Sequence, residues 1–113
     1  MPWLTESTAP VGEPFAGFHA HFFHSATMTF AHLQVDRGAI LTEHSHRHEQ
    51  VVHMLEGEFE LVIAGERRVL RPGDVAVIPS NTPHSGRAIT DCQIIDAFHP
   101  VREDYRNEYR PTN

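Results

Sequence analysis

The sequence predicts an all-β domain, built as a sandwich or a barrel. Short segments rich in Val, Ile and Phe alternate with turn residues, at a spacing of about eight to twelve residues that is typical of such folds. Helical periodicity is almost missing. The 113 residues suit one domain, 1–113, because a chain of this length builds a single hydrophobic core.

Apolar runs and alternation place the individual strands in chain order. A strand carries side chains on two opposite faces, so residues two apart share a face. Two segments precede the turn residues DRGA, and six more follow them. We predict strands over 18–23 (FHAHFF), 27–35 (TMTFAHLQV), 50–55 (QVVHML), 59–63 (FELVI), 67–70 (RRVL), 75–79 (VAVIP), 84–89 (HSGRAI) and 92–98 (CQIIDAF).

Turn residues separate these strands. AGE at 64–66 predicts a tight hairpin, and Pro72 and Gly73 in RPGD occupy positions that favour a turn. EGE and SNTP punctuate the chain in the same way. Only 101–109 (VREDYRNEY) has the composition of a helical turn.

Composition excludes several classes of partner. The formal net charge is −6, and all nine basic residues are Arg, so no Lys-rich patch is present to bind nucleic-acid phosphates. A single Cys, Cys92, excludes an internal disulfide and suits a reducing compartment. The N-terminus has neither the charged nor the apolar region of a signal peptide, and no apolar run is long enough to span a bilayer. We therefore expect a cytoplasmic protein without nucleic-acid or membrane partners.

One carboxylate falls on an apolar strand face. In CQIIDAF, Asp96 shares its face with Cys92, Ile94 and Phe98. A carboxylate in such a position costs free energy unless it is paired or hydrogen-bonded. Asp96 is therefore a candidate functional residue.

Histidines concentrate in the segment TEHSHRHEQVVHMLEGE, residues 42–58. We expect His44 and His46 to project from one face of one strand, where both imidazoles can reach the same metal ion. Gln50 has the same parity, but a kink near 47–49 is needed to bring it to that ion. His84 follows a Pro-containing turn and opens another strand, so it is the best candidate for the missing ligand.

For the other histidines the sequence supports less specific predictions. His48 has the same strand parity as His44 and His46, but the kink is expected to turn it to the rim or to solvent. His53 has the opposite parity and belongs on the outer face, and His99 follows the last predicted strand and belongs on the rim. His19, His21, His24 and His32 are expected at a surface or an interface, and Cys92 is expected in the core.

Two segments resemble the conserved motifs of the cupin superfamily. GAILTEHSHRHEQVVHMLEG, residues 38–57, resembles the first motif, G-x5-H-x-H-x3-4-E-x6-G, and GDVAVIPSNTPHSGRA, residues 73–88, resembles the second. The resemblance implies a double-stranded β-helix, or jelly-roll barrel. It also implies an internal divalent transition metal (Ni, Zn, Fe, Mn or Cu) held by His44, His46, Gln50 and His84.

Three residues depart from the motifs. Gln50 stands where most cupins have Glu, Asn81 replaces a Gly and Ala88 replaces an Asn. Asn81 and Ala88 are not expected to disrupt the metal site, but the sequence does not determine the shape of the loop. Three imidazoles and an amide carry no charge, so the ion should attract an anionic ligand. The neutral set differs from the facial triad of iron oxygenases and favours a Lewis-acid role.

HSHRHEQ, PGDVAVIPSNTPHSG and IIDAFHPVREDY further resemble small KdgF-type cupins of pectin degradation. That resemblance implies linearisation of unsaturated uronates to 4-deoxy-5-keto-uronates. It also implies that Asp96 is an acid/base group, that Arg102 holds the sugar carboxylate and that Phe98 packs on the sugar ring. His99 stands where many of these relatives have Ser.

The sequence leaves two alternatives to a uronate-linearising enzyme open. One is another metal-dependent cupin enzyme, such as a dioxygenase, and the other is a non-catalytic module that binds a metal or a ligand. The inward Asp96 and the nearby Arg102 favour catalysis over binding alone, and the neutral ligand set disfavours oxygen chemistry.

A homodimer is also expected. Exposed strand edges of a small barrel invite pairing, and closed two-fold symmetry is common. The segment FHAHFFH, 18–24, is predicted to cover a partner subunit; the alternative is that it folds back on its own barrel.

Overall fold

A computed structural model describes residues 3–111, and strands make up most of this range. Their bounds are β1 Val11–Phe15, β2 Phe18–His24, β3 Thr29–Val35, β4 Ile40–His44, β5 Glu49–Glu56, β6 Phe59–Ile63, β7 Glu66–Leu70, β8 Val75–Ile78, β9 His84–Ala88 and β10 Cys92–His99. A single helical turn and a half, α1 (Glu103–Glu108), follows the last strand. No helix in residues 3–111 has the length and apolar character needed to cross a membrane.

The strands form two antiparallel sheets. One sheet has six strands in the order β1-β2-β3-β10-β5-β8, and the other has four in the order β4-β9-β6-β7. Several neighbours in each sheet are distant in sequence, as when β10 pairs with both β3 and β5 and β9 pairs with both β4 and β6. This is the jelly-roll arrangement, so the predicted fold class is confirmed.

Alternating side chains build the core between the two sheets. In β2, Phe18, Ala20 and Phe22 are at most 5% exposed, and Phe59 and Leu61 from β6 are equally buried on the facing sheet. Cys92 also lies in this core, as predicted. The inward faces of the strands therefore supply the apolar walls of the functional site.

Segment 18–24 forms β2, which pairs with β1 and β3 of its own chain, as in the fold-back alternative; the contact of this segment with a partner subunit stays a prediction. The prediction that His44 and His46 share one strand is wrong. The strand carrying His44 ends at that residue, and His46 lies in the loop that leads to β5. The two histidines therefore do not share a strand face. The bend at 47–48 lies where the kink was expected.

The structure also contains a strand that the sequence did not predict. β1 includes Gly12 and Pro14, which weaken any strand pattern, and it lies at the edge of its sheet, where proline is tolerated. Gly12 is required there, because a Cβ atom would lie 2.3 Å from the Tyr109 ring. β1 is thereby held against the C-terminal segment.

The loop before β9 holds Asn81 in a left-handed backbone conformation, at the position where the cupin motif has Gly. Asn81 has a φ of 61°, a left-handed conformation that asparagine adopts more readily than most residues other than glycine. Its backbone N–H donates to the His46 carbonyl over 2.7 Å. Replacement of the motif's Gly by Asn81 therefore leaves this loop joined to the loop that carries His46.

Candidate metal centre

Three histidines from three segments converge inside the barrel. His44 ends β4 and His84 begins β9, and the two are directly paired across the sheet. His46 joins them from the β4–β5 loop, and one donor nitrogen from each ring lies within 4.8 Å of the other two. The convergence depends on strand register for one pair and on loop shape for the third ring.

Each of these rings is oriented by a backbone carbonyl. The Nδ1 atoms of His44, His46 and His84 lie 2.8, 2.9 and 2.9 Å from the carbonyl oxygens of Thr42, His48 and Thr82, respectively. A carbonyl oxygen only accepts, so Nδ1 of each neutral ring carries the hydrogen and Nε2 carries the lone pair. All three rings therefore offer Nε2 as an acceptor or as a metal ligand.

Burial favours the neutral form of His46 and His84. It lowers the pKa of His84 to about 4, and the neighbouring His44 and His46 rings add to this effect. The pKa of His46 is also lowered, first by burial and then by the positive charge of Arg102. Neutral imidazole is the form that binds a metal ion.

Gln50 brings an amide to the same place. Its Oε1 lies 3.1 Å from Nε2 of His46, although both atoms are acceptors when the ring is neutral. The Gln50 side chain also lies close enough to Asp96 to lower the pKa of that carboxyl group. A carboxylate needs a donor, so the amide NH₂ faces Asp96 and Oε1 faces the histidines.

Asp96 lies on the inward face of β10, as its parity predicts, and its Oδ1 atom is buried with no hydrogen-bond partner among residues 3–111. Burial raises the pKa of Asp96 to about 7, and the bond from Gln50 and the charge of Arg102 oppose that shift. The carboxyl group is therefore poised between its neutral and charged forms near neutral pH.

The Arg102 guanidinium is held from several sides. Its Cζ atom lies 4.7 Å from the ring centroid of Phe98 and 3.9 Å from that of Tyr105, a cation–π arrangement. Nε and Nη2 donate to the Asp104 carboxylate over 3.0 and 2.8 Å. The Nη1 donors lie outside this pair, so a ligand carboxylate would have to bind there or displace Asp104.

Phe98 packs beneath the same group. It is 3% exposed, and its ring meets the His46 ring edge-on at 5.8 Å between centroids. Phe98 therefore supports both His46 and Arg102, which limits the area it can offer to a sugar ring.

The remaining histidines do not join the three-histidine group, although the His48 ring lies 5.6 Å from the His46 ring between centroids. His48 is buried, so the prediction that it faces solvent or the rim is wrong. The chain turns it toward the Arg102 side of the loop, where burial and Arg102 lower its pKa. His53 and His99 are exposed, as predicted.

Three further residues of this region were not predicted from the sequence: Asp104, Tyr105 and Thr29. Thr29 is fully buried, and its Oγ1 accepts the backbone N–H of Arg102 over 2.9 Å. The same oxygen lies within hydrogen-bond distance, 2.8 Å, of Nδ1 of His24. No sequence pattern links Thr29 to Arg102, because 73 positions separate them.

We expect Thr29→Val to destabilise the fold by about 1 to 3 kcal/mol, the usual cost of leaving a buried polar group without its partner. The substitution keeps the shape of the side chain but removes the acceptor of the Arg102 N–H. Urea unfolding measures the difference. Thr29→Ser retains the hydroxyl and should recover most of the loss, and equal destabilisation by both variants would contradict the role given to the hydroxyl.

Comparison with known proteins places the chain in a family. Residues 31–98 match the model of the cupin domain Cupin_2. The chain is a cupin. Over 71 residues it is 38% identical to the pectin degradation protein KdgF of Dickeya dadantii (strain 3937), a match that covers 61% of this chain and 64% of that protein.

Two solved structures extend this similarity. KdgF from Halomonas sp. is 34% identical, with a TM-score of 0.78 over 83% of this cupin and 88% of that chain. An RmlC-like cupin from Shewanella frigidimarina NCIMB 400 is 27% identical, with a TM-score of 0.85 over 93% of this chain and 96% of that one. This protein is therefore a KdgF-like cupin.

The donor set of this cupin fits a divalent metal ion. Three Nε2 lone pairs converge within 4.8 Å, and Nε2 of His84 is buried without a partner among residues 3–111. The close approach of the Gln50 and His46 acceptors is repulsive unless a positive charge lies beside them. Nitrogen and neutral oxygen ligands suit several first-row metals, so the geometry does not select one.

A cavity of about 40 Å³ adjoins these ligands. Asp96, Arg102 and Phe98 line it together with the metal-site side chains. Phe15 from β1 and Tyr105 from α1 close its other sides, and the Phe15 ring lies 5.2 Å from that of His44. The candidate catalytic groups and the metal ligands thus share one enclosed space.

Proposed function

We propose that this cupin is a metal-dependent enzyme that linearises unsaturated uronate monosaccharides to 4-deoxy-5-keto-uronates. The observation that carries the proposal is the presence of a buried carboxyl group, Asp96, and a guanidinium, Arg102, in the cavity beside the three histidines. Similarity to KdgF proteins supports the choice of substrate class. His44, His46, His84 and Gln50 would hold the ion, which would supply Lewis acidity toward a sugar oxygen.

The reaction needs a proton donor and acceptor at one place. Opening the hemiacetal removes a proton from the anomeric hydroxyl and breaks the bond between the anomeric carbon and the ring oxygen, which leaves as an enolate. Protonation of a carbon of the former double bond then converts the enolate to the ketone. No atoms are gained or lost, so one carboxyl group can serve both steps. Asp96 has the required burial and lies within the cavity, which suits general acid–base catalysis.

Arg102 is proposed to bind the substrate carboxylate. Its guanidinium keeps Nη1 outside the Asp104 pair, and its side chain is only 9% exposed. Water therefore competes little for this contact, which strengthens a charge-assisted hydrogen bond. A small anion is the expected partner of this site.

Substrate entry requires side-chain movement. The cavity volume of about 40 Å³ is little more than the share of one water molecule in the liquid, about 30 Å³. A monosaccharide is several times larger. Phe15 or Tyr105 must therefore move before the sugar can contact Asp96.

The decisive test is the loss of ultraviolet absorbance from unsaturated galacturonate and guluronate monomers. We expect metal-loaded enzyme to remove the signal, chelator to stop the reaction and added metal to restore it. Oxygen uptake is measured in parallel. Oxygen consumption would favour a dioxygenase, and inactivity of fully metal-loaded protein on both sugars would favour a non-catalytic binding protein.

Arg102→Gln should raise KM for the uronate at least about tenfold, because a hydrogen bond to a charged group contributes about 1.5 to 3 kcal/mol. Turnover at saturation should change less, since the carboxylate is held similarly before and during the reaction. Arg106→Gln is the matched control, because Arg106 lies in α1 with its side chain 42% exposed. Equal KM values for wild type and Arg102→Gln would exclude Arg102 from substrate binding.

A further inference from the structure

Asp104 binds Arg102 beside the cavity, although the proton transfers of the proposed reaction do not require it. Its two oxygens accept from Nε and Nη2 of Arg102 over 3.0 and 2.8 Å, so two bonds run along one side of the guanidinium, here called its side edge. A guanidinium has five N–H donors in one plane. One Nη1 donor and the second Nη2 donor form its terminal edge, which is free to bind a second carboxylate.

Asp104 approaches Arg102 from the solvent side. The Asp104 side chain is 56% exposed, whereas that of Arg102 is 9% exposed, and Arg102 lines the cavity while Asp104 does not. The positive charge of Arg102 also acts inside the cavity, where it helps to lower the pKa of His46 and opposes the raised pKa of Asp96. The terminal edge is therefore the part of the guanidinium that a ligand in the cavity can reach.

Other contacts hold Arg102 in place without setting the direction of its donors. The Arg102 backbone N–H donates to Thr29, and the guanidinium lies against the rings of Phe98 and Tyr105. Cation–π attraction keeps the charge near those rings. The two bonds to Asp104 run along defined N–H directions, so they determine which edge of the guanidinium points into the cavity.

We propose that Asp104 is a positioning residue, which holds the side edge of Arg102 so that the terminal edge binds the substrate carboxylate in one orientation. This inference rests on the proposed function, because it concerns the carboxylate of an unsaturated uronate. That carboxylate is attached to the double bond of the sugar. Its orientation therefore decides where the carbon that takes up a proton lies relative to Asp96, and a displacement of about 1 Å can cost roughly 100-fold in rate.

The alternative role for Asp104 is stabilisation of α1 alone. Acidic residues in the first turn of a helix interact favourably with the helix dipole, and α1 has two of them, Glu103 and Asp104. Both side chains are 56% exposed, but Glu103 pairs with Arg106 over 3.0 Å and not with Arg102. Glu103→Gln is therefore a matched control, since it removes the same charge from the same turn and leaves the Arg102 pair intact.

Steady-state kinetics of metal-loaded protein on an unsaturated uronate test the proposal. Asp104→Asn should lower kcat at least about tenfold, because the freed side edge can bind the carboxylate and hold the sugar out of place. KM should not rise, since the guanidinium and its charge remain. Arg102→Gln is expected to raise KM instead, so the two variants separate the binding of the carboxylate from its orientation.

The control decides between the two roles of Asp104. A fall in kcat that is confined to Asp104→Asn, with Glu103→Gln equal to the wild type, would support the proposal. An unchanged kcat in Asp104→Asn, a KM that rises as much as in Arg102→Gln, or an equal loss of kcat in Glu103→Gln would overturn it.

A measurement on the wild type makes the test independent of the folding of any variant. Saturated galacturonate carries the carboxylate but lacks the double bond, so it can bind without reacting. In nitrogen NMR spectra of protein loaded with diamagnetic Zn²⁺, it should shift the Nη signals of Arg102 and leave the Nε signal, which Asp104 holds, unchanged. A shifted Nε signal, or no shift of the Nη signals at saturating sugar, would overturn the proposal.

The same measurement separates this inference from the proposed function. Suppose that the metal-loaded wild type leaves unsaturated galacturonate and guluronate unchanged, while saturated galacturonate shifts only the Nη signals of Arg102. That result would reject uronate linearisation but would still support the role of Asp104 in directing Arg102 toward a ligand carboxylate.

Discussion

Replacing Asp96 with Asn should slow uronate turnover by at least about 100-fold, because general acid–base groups typically contribute 10²- to 10⁴-fold to the rate. The amide of Asn cannot take and return a proton, but its Oδ1 can still accept the hydrogen bond from Gln50. Metal content should therefore stay unchanged. Turnover and metal content are measured on the same preparation.

A second substitution separates catalysis from metal positioning. Asp96→Ala removes the acceptor that orients the Gln50 amide, so metal affinity should also fall. The expected loss is roughly 10- to 100-fold, which is typical when a metal ligand loses its hydrogen-bond partner. Asp74→Asn, in an exposed turn, serves as the control. Near-normal turnover of fully metal-loaded Asp96→Asn would remove Asp96 from the mechanism.

His84→Ala should abolish stable metal binding. His84 contributes one of three converging nitrogens, so its removal should weaken affinity by more than the roughly 10- to 100-fold lost when only a ligand's hydrogen-bond partner is removed. Metal titration, followed by elemental analysis after desalting, measures the loss. His53→Ala is the control, because His53 is exposed on the outer face.

Unfolding of His84→Ala would also remove the metal, so circular dichroism must accompany the titration. His84 is 1% exposed, and truncation leaves a void in the barrel. His44→Ala is the second variant, since His44 is only half-buried. Full metal occupancy in a folded sample of either variant would contradict the proposed ligand set.

Local pattern was enough to predict much of this architecture. Strand alternation predicted the inward position of Asp96, and motif spacing selected the three histidines that the structure brings together. Turn residues marked most strand ends. These predictions succeeded because each depends on residues within a few positions of one another. Over that distance the two-residue period of a strand determines which face of the sheet a side chain occupies.

Features that depend on distant residues could not be predicted in the same way. The support of Arg102 comes from Thr29, 73 positions away, and from Tyr105, which only the direction of α1 brings over the guanidinium. His46 was assigned to a strand because H-x-H spacing suits strand parity, whereas a loop supplies the same convergence.

In each of the three candidate metal-site histidines, Nδ1 is held by a main-chain carbonyl two residues away. Every amino acid supplies that carbonyl, so substitution at Thr42, His48 or Thr82 preserves this hydrogen bond. Residues that line the cavity but leave Gln50 in place, such as Arg102, can therefore change while the three rings stay oriented. Because the hydrogen bonds that orient the three rings do not involve the cavity side chains, new activities can arise by few substitutions. Metal content alone is therefore poor evidence that two relatives catalyse the same reaction.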